Sequence, residues 1–364
     1  MIKHRFAWVW FGVFFLLLSV VSAAEIGAYR VMFLGDVHYD ALEYHPGYKK
    51  KKAFKRNVTM WKDTTPQLLK AAGEQAGKDR VAFVVQLGDI THGYADTPEL
   101  QEKMLRTAFS KLKPFFADRP LLAVKGNHDV HVRSSTDNGP AERGLLPLVA
   151  AEKDLGRLSD GNYAFMQDKD LFIAVDGFVG MKPVVEFLRK SLEAHPDARY
   201  VFVMTHLPVL PASAQNPIWL LPGYEEIAAM LETRRALVIA AHTHRPSLTT
   251  RTTPRGTLPQ LIVSSMGCNW HPDQLVPDRL ADWEKFAEAA TGNMLKGRNS
   301  KKIREWRHIM ALGQYAQRRD FVNSGFAILD VTDERVEARV FTNVSGTPTL
   351  TLKLIDGPAA KPAR

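Results

Sequence analysis

Short apolar runs rich in β-branched residues, each closed by turn residues, recur along the 364-residue chain: "YRVMFLGD", "VAFVVQLGD", "PLLAVKGNHD", "DLFIAVDG", "YVFVMTHLP", "ALVIAAHTH" and "QLIVSSMG". Runs this short and nearly unbroken suit strands covered on both faces. Between them, Thr65 to Gln75, Pro98 to Leu112 and Pro183 to Ala194 carry helix-forming residues at helical spacing. The alternation predicts an α/β protein built on central sheets.

The pattern changes twice toward the end of the chain. Between Cys268 and Phe321 the strand-like runs stop and polar, helical sequence takes over in "DRLADWEKFAEAA" and "SKKIREWRHIMALGQYAQ", with Trp270, Trp283 and Trp306 in this stretch. It reads as an insertion over about 268–321, either a lid on a site or an independent packing element. After Gly325, "GFAILDVTDERVEARVFTN" alternates on both sides of a turn and predicts an antiparallel hairpin over about 325–354, to which "TLTLKLID" adds a last strand. Residues 356–364 form a Pro/Ala tail expected to fray.

The first residues are organised differently from the rest. Lys3 and Arg5 precede an apolar run from Phe6 to Val21 and then the small residues Ser22, Ala23 and Ala24. This is the layout of a secretory signal over residues 1–24, cleaved after Ala23 or Ala24, and it predicts an exported body, periplasmic or secreted. The alternative is an uncleaved N-terminal anchor, because the run falls a little short of the roughly 17 to 25 residues that span a bilayer. Residues 25–355 then form the main domain.

Composition adds limits. At 45% hydrophobic and 24% charged, the chain has ordinary globular content, and its single cysteine, Cys268, excludes an intrachain disulfide and a cysteine-rich zinc module. The formal net charge of +9 is concentrated in "YKKKKAFKR" and "LKGRNSKKIREWRHIM". Such patches draw anionic substrates, nucleic acid or acidic lipid, or are solvated faces. No aromatic residues interleave them in the manner of single-strand binding, so no specific nucleic-acid partner is expected.

The chemistry sits at the ends of the apolar runs. "FLGDVHYD" ends in Asp36 and His38, "QLGDITHG" in Asp89, "VKGNHDVH" in Asn127, His128 and Asp129, "VMTHLP" in His206, and "AAHTHRP" in His242 and His244. Alone, each has an ordinary explanation as a cap, turn or loop residue. Together they are donors placed where strands leave a sheet, the edge at which α/β proteins build sites. The seven donors Asp36, His38, Asp89, Asn127, His206, His242 and His244 exceed what one four-coordinate zinc needs and include no sulfur. Two ions about 3.5 to 4 Å apart, sharing a carboxylate and a water, would generate hydroxide and polarise a phosphoester.

The ordered set D-x-H, G-D, G-N-H-D, H and H-x-H resembles the calcineurin-like metallophosphoesterase superfamily over Asp36 to His244. The resemblance implies a four-layer sandwich of two mixed β-sheets flanked by helices, with a dinuclear centre at one sheet edge. It implies that Asp36, His38 and His244 hold one metal, that Asn127, His206 and His242 hold the other, and that Asp89 bridges them. A metal-bridging hydroxide would attack phosphorus in line, and His128 would be the general acid, with Asp129 orienting it or bracing the turn. Manganese, iron and zinc all suit such mixed oxygen and nitrogen donors.

The resemblance has departures. His92 stands where purple acid phosphatases carry a tyrosine, and "GDITHGYADTPE" lacks the arginine of the Ser/Thr phosphatases, so small phosphodiesters or phosphomonoesters fit best. His92, His131, Arg133 and His271 are candidate substrate contacts because they adjoin the motifs or the insertion. The superfamily nearly always has glycine at the position of Ala241, whose presence predicts an ordinary extended φ there, with His242 and His244 diverging if the strand continues. The contrasting function is a catalytically silent metal- or phosphate-binding scaffold on the same fold.

Overall fold

A computed structural model describes residues 28–48, 52–130, 132, 137–156, 158, 160–268 and 274–356. The 1–24 segment, His131, Arg133, Trp270, His271 and the tail beyond Asp356 lie outside the described residues.

Two large mixed sheets make up the centre. The first runs in the order Leu350–Asp356, Arg335–Phe341, Phe326–Val331, Tyr29–Leu34, Phe83–Gln86 and Leu121–Ala123. Its last three strands are parallel, while the C-terminal hairpin pairs antiparallel from Phe326↔Phe341 to Val331↔Val336 and lays Phe326–Val331 against Tyr29–Leu34. The second sheet runs Gln314–Arg318, Ser247–Thr253, Gly256–Ile262, Ala236–Ala240, Val201–Thr205, Asp170–Val175 and Tyr163–Gln167. Its strands from Gly256–Ile262 to Asp170–Val175 are parallel.

The unbroken apolar runs are explained by what covers each face. Side chains alternate across a strand, and in the second sheet Phe172, Ala174, Phe202, Met204, Leu237 and Ile239 point into the core shared with the first sheet. Their neighbours Leu171, Ile173, Val175, Val201, Val203 and Val238 face outward, against Val184, Val185 and Leu188 of the helix Met181–Ala194 and Ile227 and Leu231 of the helix Tyr224–Leu231. Both parities are therefore apolar. An aromatic contact links the sheets, Phe83 meeting Phe172 edge-on at 5.1 Å, and within the second sheet Phe172 stacks on Phe202 at 4.6 Å. The helices Thr65–Lys78 and Pro98–Leu112 add Leu68, Leu69, Ala72 and Ala76, and Met104, Leu105, Ala108 and Leu112, to the same core at helical spacing. The fold is the α/β sandwich of two mixed sheets with flanking helices.

The stretch from Cys268 to Phe321 departs from its helical expectation. It contains the helices Trp283–Lys296 and Ser300–Ala311, N-capped by the Asp282 and Asn299 side chains. It also contains Gln314–Arg318, which pairs with Ser247–Thr253 as the edge of the second sheet, and Val276–Pro277, which pairs with Phe321–Val322. "QYAQR" is too polar to read as a strand from its pattern, and as an edge strand it buries only Gln317. The two helices pack Phe286, Ala290, Met294, Trp306 and Ile309 on Ala214 and Leu220, and Asn293 Nδ2 donates to Ala214 O at 2.8 Å. The insertion is thereby tied to the loop that follows His206.

Candidate metal centre

Every candidate ligand lies just past the carboxyl end of a parallel strand. Asp36 and His38 follow Tyr29–Leu34, Asp89 follows Phe83–Gln86, Asn127 follows Leu121–Ala123, His206 follows Val201–Thr205, and His242 and His244 follow Ala236–Ala240. The loops interlock through the main chain: the amides of Val37 and His38 both donate to Asp89 O, at 3.0 and 2.9 Å.

Four of these residues have left-handed backbones: φ is 51° at His38, 53° at Asp89, 68° at His242 and 59° at His244. Non-glycine residues rarely adopt this conformation, which costs about 1 to 3 kcal/mol each. The backbone of "AAHTH" avoids the divergence that a continued strand would impose. The strand stops at Ala240, Ala241 stays out of the left-handed region, and successive left-handed turns at His242 and His244 bring both rings to the site.

Two glycines are fixed by close approach. A Cβ on Gly88, whose φ is +89°, would lie 2.6 Å from His206 Nδ1, and one on Gly126 would lie 2.1 Å from Asp89 Oδ1. Buried Gln86 clamps the same turn, donating from Nε2 to Gly88 O at 2.6 Å and accepting from Gly88 N at 3.0 Å.

The donors fall into two groups that share one residue. Asp36, His38, Asp89 and His244 place one ligand atom each within 4.8 Å of one another, and so do Asp89, His206 and His242. Asn127 Oδ1 joins the second group, 3.1 Å from His206 Nε2. The imidazole nitrogens face each other, His38 Nε2 to His244 Nε2 at 3.2 Å and His206 Nε2 to His242 Nδ1 at 3.1 Å. Asp36 Oδ1 and His38 Nδ1 are buried with no hydrogen-bond partner. With Asp36 Oδ1 also 3.3 Å from His244 Nε2, buried carboxylate oxygens and facing imidazole nitrogens that converge in this way fit cations better than they fit each other. His206 Nδ1 donates to Leu87 O at 2.8 Å, which orients its ring and aims Nε2 at the group.

Charge in the cluster is strongly polarised. Burial opposes ionisation of Asp36, but His244 and His206 outweigh it and hold the carboxyl down at about 2. Burial also disfavours the charged form of His206, yet Asp89 and Asp36 push this ring up to about 9, and Asp36 likewise raises His244 well above the ordinary value. Burial lowers His38 to about 3 and His242 to about 4, so these are neutral donors at physiological pH.

His128 lies on the short helix Asn127–Val130 with its amide donating to Asp89 Oδ1 at 2.8 Å. Its Nδ1 donates to His92 O at 2.6 Å, and its Nε2 lies 4.0 Å from Asp89 Oδ2. The His92 ring stacks on it at 5.2 Å and 22°, and one ring nitrogen each of His38, His92 and His128 lie within 4.8 Å of one another. Asp129 takes the second of its two expected roles and braces the turn. It is fully buried and accepts from Ile90 N, Thr91 N, Thr91 Oγ1 and Gly126 N at 2.9 to 3.3 Å. Those bonds tie the Asp89 loop to the Asn127 loop, which makes Asp129 a positioning residue.

Several residues at the site carried no readable sequence signal. Gln86 looked like one polar position in a strand. Cys268 Sγ joins ring nitrogens of His38 and His244 in a further group within 4.8 Å, adding sulfur beside a donor set expected to lack it. Trp219 meets the His242 ring edge-on at 4.5 Å from a loop with no motif. His131, Arg133 and His271 cannot be placed, since they lie outside the described residues.

The calcineurin-like phosphoesterase family model matches residues 29–246, and the chain belongs to that family. No curated protein matches the chain. Among solved structures, the chain is similar to a dimetal phosphatase from Danio rerio at 15% identity and TM-score 0.55, covering 91% of this chain and 100% of that one. It is also similar to GAP50, the anchor in the inner membrane complex of Plasmodium, at 15% identity and TM-score 0.50, covering 92% and 90%. A third is the purple acid phosphatase PPD1 from yellow lupin (Lupinus luteus) seeds, at 12% identity and TM-score 0.54, covering 91% of this chain and 54% of that one. Identities this low establish a shared fold. Family membership supports a metal-dependent phosphoesterase, and the two donor groups are compatible with a dinuclear metal centre.

Proposed function

We propose that the chain is an exported dinuclear phosphoesterase acting on small phosphodiesters or phosphomonoesters. The observation that carries this reading is the position of Asp89 in both donor groups. Asp36, His38 and His244 would hold one ion, Asn127, His206 and His242 the other, and Asp89 would reach both. When bound, manganese, iron or zinc supplies Lewis acidity toward the phosphoryl oxygens and activates water for attack.

The protein's own part is to fix these donors and move a proton. The left-handed turns, Gln86 and Asp129 hold the loops before any ion arrives, so little reorganisation remains when substrate binds. With Nδ1 bonded to His92 O, His128 turns Nε2 toward the centre, where it donates to the leaving oxygen as the P–O bond breaks. Export is supported by the basic start, apolar run and small residues of 1–24. An anchoring role, like the one named for the Plasmodium neighbour, is opposed by retention of all the donors and of His128.

The test is hydrolysis of bis-p-nitrophenyl phosphate and p-nitrophenyl phosphate with added manganese, beside elemental analysis. Turnover of either with about two ions per chain is expected. A protein that binds no metal and turns over neither ester would overturn the proposal.

A further inference from the structure

A cavity of about 470 Å³ opens beside the metal centre, with His242 and His244 in its wall. One side is the loop that follows His206, carrying Gln215, Asn216 and Trp219; another is the insertion, through Leu280, Ala289 and Asn293. This volume falls within the roughly 300 to 1,000 Å³ of pockets that enclose whole organic ligands, and a single phosphoryl group would leave most of it empty.

Its chemistry is specific. Among the described residues no carboxylate lines it, whereas Arg245 and Arg319 both do. Arg245 is exposed, directly follows His244, and makes no ion pair among the described residues. Arg319 is a buried wall element, held by Asp278 Oδ2 at 2.9 Å, so its charge is largely answered, and among the described residues the unanswered guanidinium is that of Arg245. Trp219 is 53% exposed although it stands against His242 at the metal edge. A large aromatic face left open beside a centre of this kind is a platform for a planar ring, and stacking there gains what solvent exposure forgoes.

We propose that this cavity is a subsite for the non-reacting arm of the substrate, a planar ring on Trp219 and a second anionic group at Arg245. The preferred substrates are then nucleotide-like phosphoesters that carry a phosphate besides the one attacked. The proposal rests on the phosphoesterase reading and specifies its substrate. In the reaction, water adds to the phosphorus held at the two donor groups, the P–O bond to the leaving group breaks, and the leaving oxygen takes a proton. The arm in the cavity stays on the product phosphate. The insertion is part of the subsite because Asn293 fixes it to Ala214.

A chromogenic series with one leaving group tests this. Methyl p-nitrophenyl phosphate has neither ring nor second charge on its arm, thymidine 5′-(p-nitrophenyl phosphate) adds the ring, and its 3′-phosphorylated form adds the second anion. kcat/KM should rise about tenfold at each step, mostly through KM. Trp219→Ala should erase the gain at the first step and Arg245→Gln the gain at the second, each about tenfold in the ratio between adjacent substrates. Equal kcat/KM across the series, or ratios unmoved by both variants, would overturn the subsite while leaving the phosphoesterase reading intact. Failure to hydrolyse any of the three by metal-loaded protein would count against that reading instead. Calorimetric binding of thymidine 3′,5′-bisphosphate then decides the subsite, with about tenfold weaker binding to either variant expected and unchanged binding to both excluding it.

Discussion

His128 Nδ1 donates to the main-chain oxygen of His92 at 2.6 Å, and this bond fixes which ring nitrogen of His128 faces the metal centre. The acceptor is a carbonyl, so the His92 side chain is not needed for the bond, although its ring supports His128 by stacking.

Replacing His128 with asparagine should therefore slow turnover by on the order of 10² to 10⁴ and leave metal content at the wild-type level. His92→Phe, which keeps the carbonyl and a stacking ring, should lose less than about tenfold by the same reasoning. Steady-state kinetics with elemental analysis of both variants checks this. Metal loss in the His128 variant would show that the ring is a ligand.

Asp89 is the single residue shared by both donor groups, so its removal should empty both positions. Asp89→Ala is expected to abolish activity and bring bound metal to well below one ion per chain, whereas Asn127→Ala removes a donor from one group only. Titrating each variant with manganese and counting retained ions after dialysis separates the two outcomes. Retention of a full metal complement by Asp89→Ala would exclude the bridging role.

Much of this site was legible in the sequence because strands in these sheets are covered on both faces. That cover makes them near-continuous apolar runs, so the polar residue ending each run stands out, and parallel strands bring their ends to one edge. Asp36, Asp89, Asn127, His206 and the His242/His244 pair were visible for that reason. What was not legible depends on backbone conformation or long-range contact. The left-handed turns at His242 and His244 have no glycine to announce them, and Gln86 hides in a strand as one polar position. Trp219 reaches the centre only because the loop after His206 folds over it, and Cys268 because the segment after Gly256–Ile262 returns to His38 and His244. Gln314–Arg318 was unreadable as a strand because edge strands lack the double cover that makes the others apolar.

Cys268 lies against the His38 and His244 rings, so it should report metal loading. Being the only cysteine, it can be followed without interference. Alkylation by iodoacetamide should be several-fold slower with manganese or zinc bound than in chelator-treated protein, because ions on His38 and His244 draw in the thiol or block its approach. Mass spectrometry of the Cys268 peptide over time gives the rates. Identical rates in both states would place the thiol outside the influence of the metals.

Lys125 and Asp176 form an ion pair at 2.6 Å in which both side chains are fully buried, and Lys125 immediately precedes the Gly126–Asn127 turn. Burial pushes Asp176 up to about 6, while Lys125 pulls the other way. The folded protein thus holds this proton more tightly than an unfolded chain does. Stability from this group is fully present below the ordinary carboxyl range near pH 4 and is lost as pH rises through about 6. Lys125→Met removes the opposing cation and leaves a buried carboxylate unpaired, which should cost about 3 to 5 kcal/mol at pH 8. Without Lys125 the Asp176 carboxyl takes up its proton at higher pH than in wild type, so the difference from wild type should shrink as pH falls from 8 toward 6. Lys125→Met with Asp176→Asn should recover most of the loss at pH 8, since no buried charge remains. Urea unfolding of the three proteins between pH 5 and 8 measures this. A cost of Lys125→Met that does not vary over that range would mean that Asp176 stays ionised without its partner.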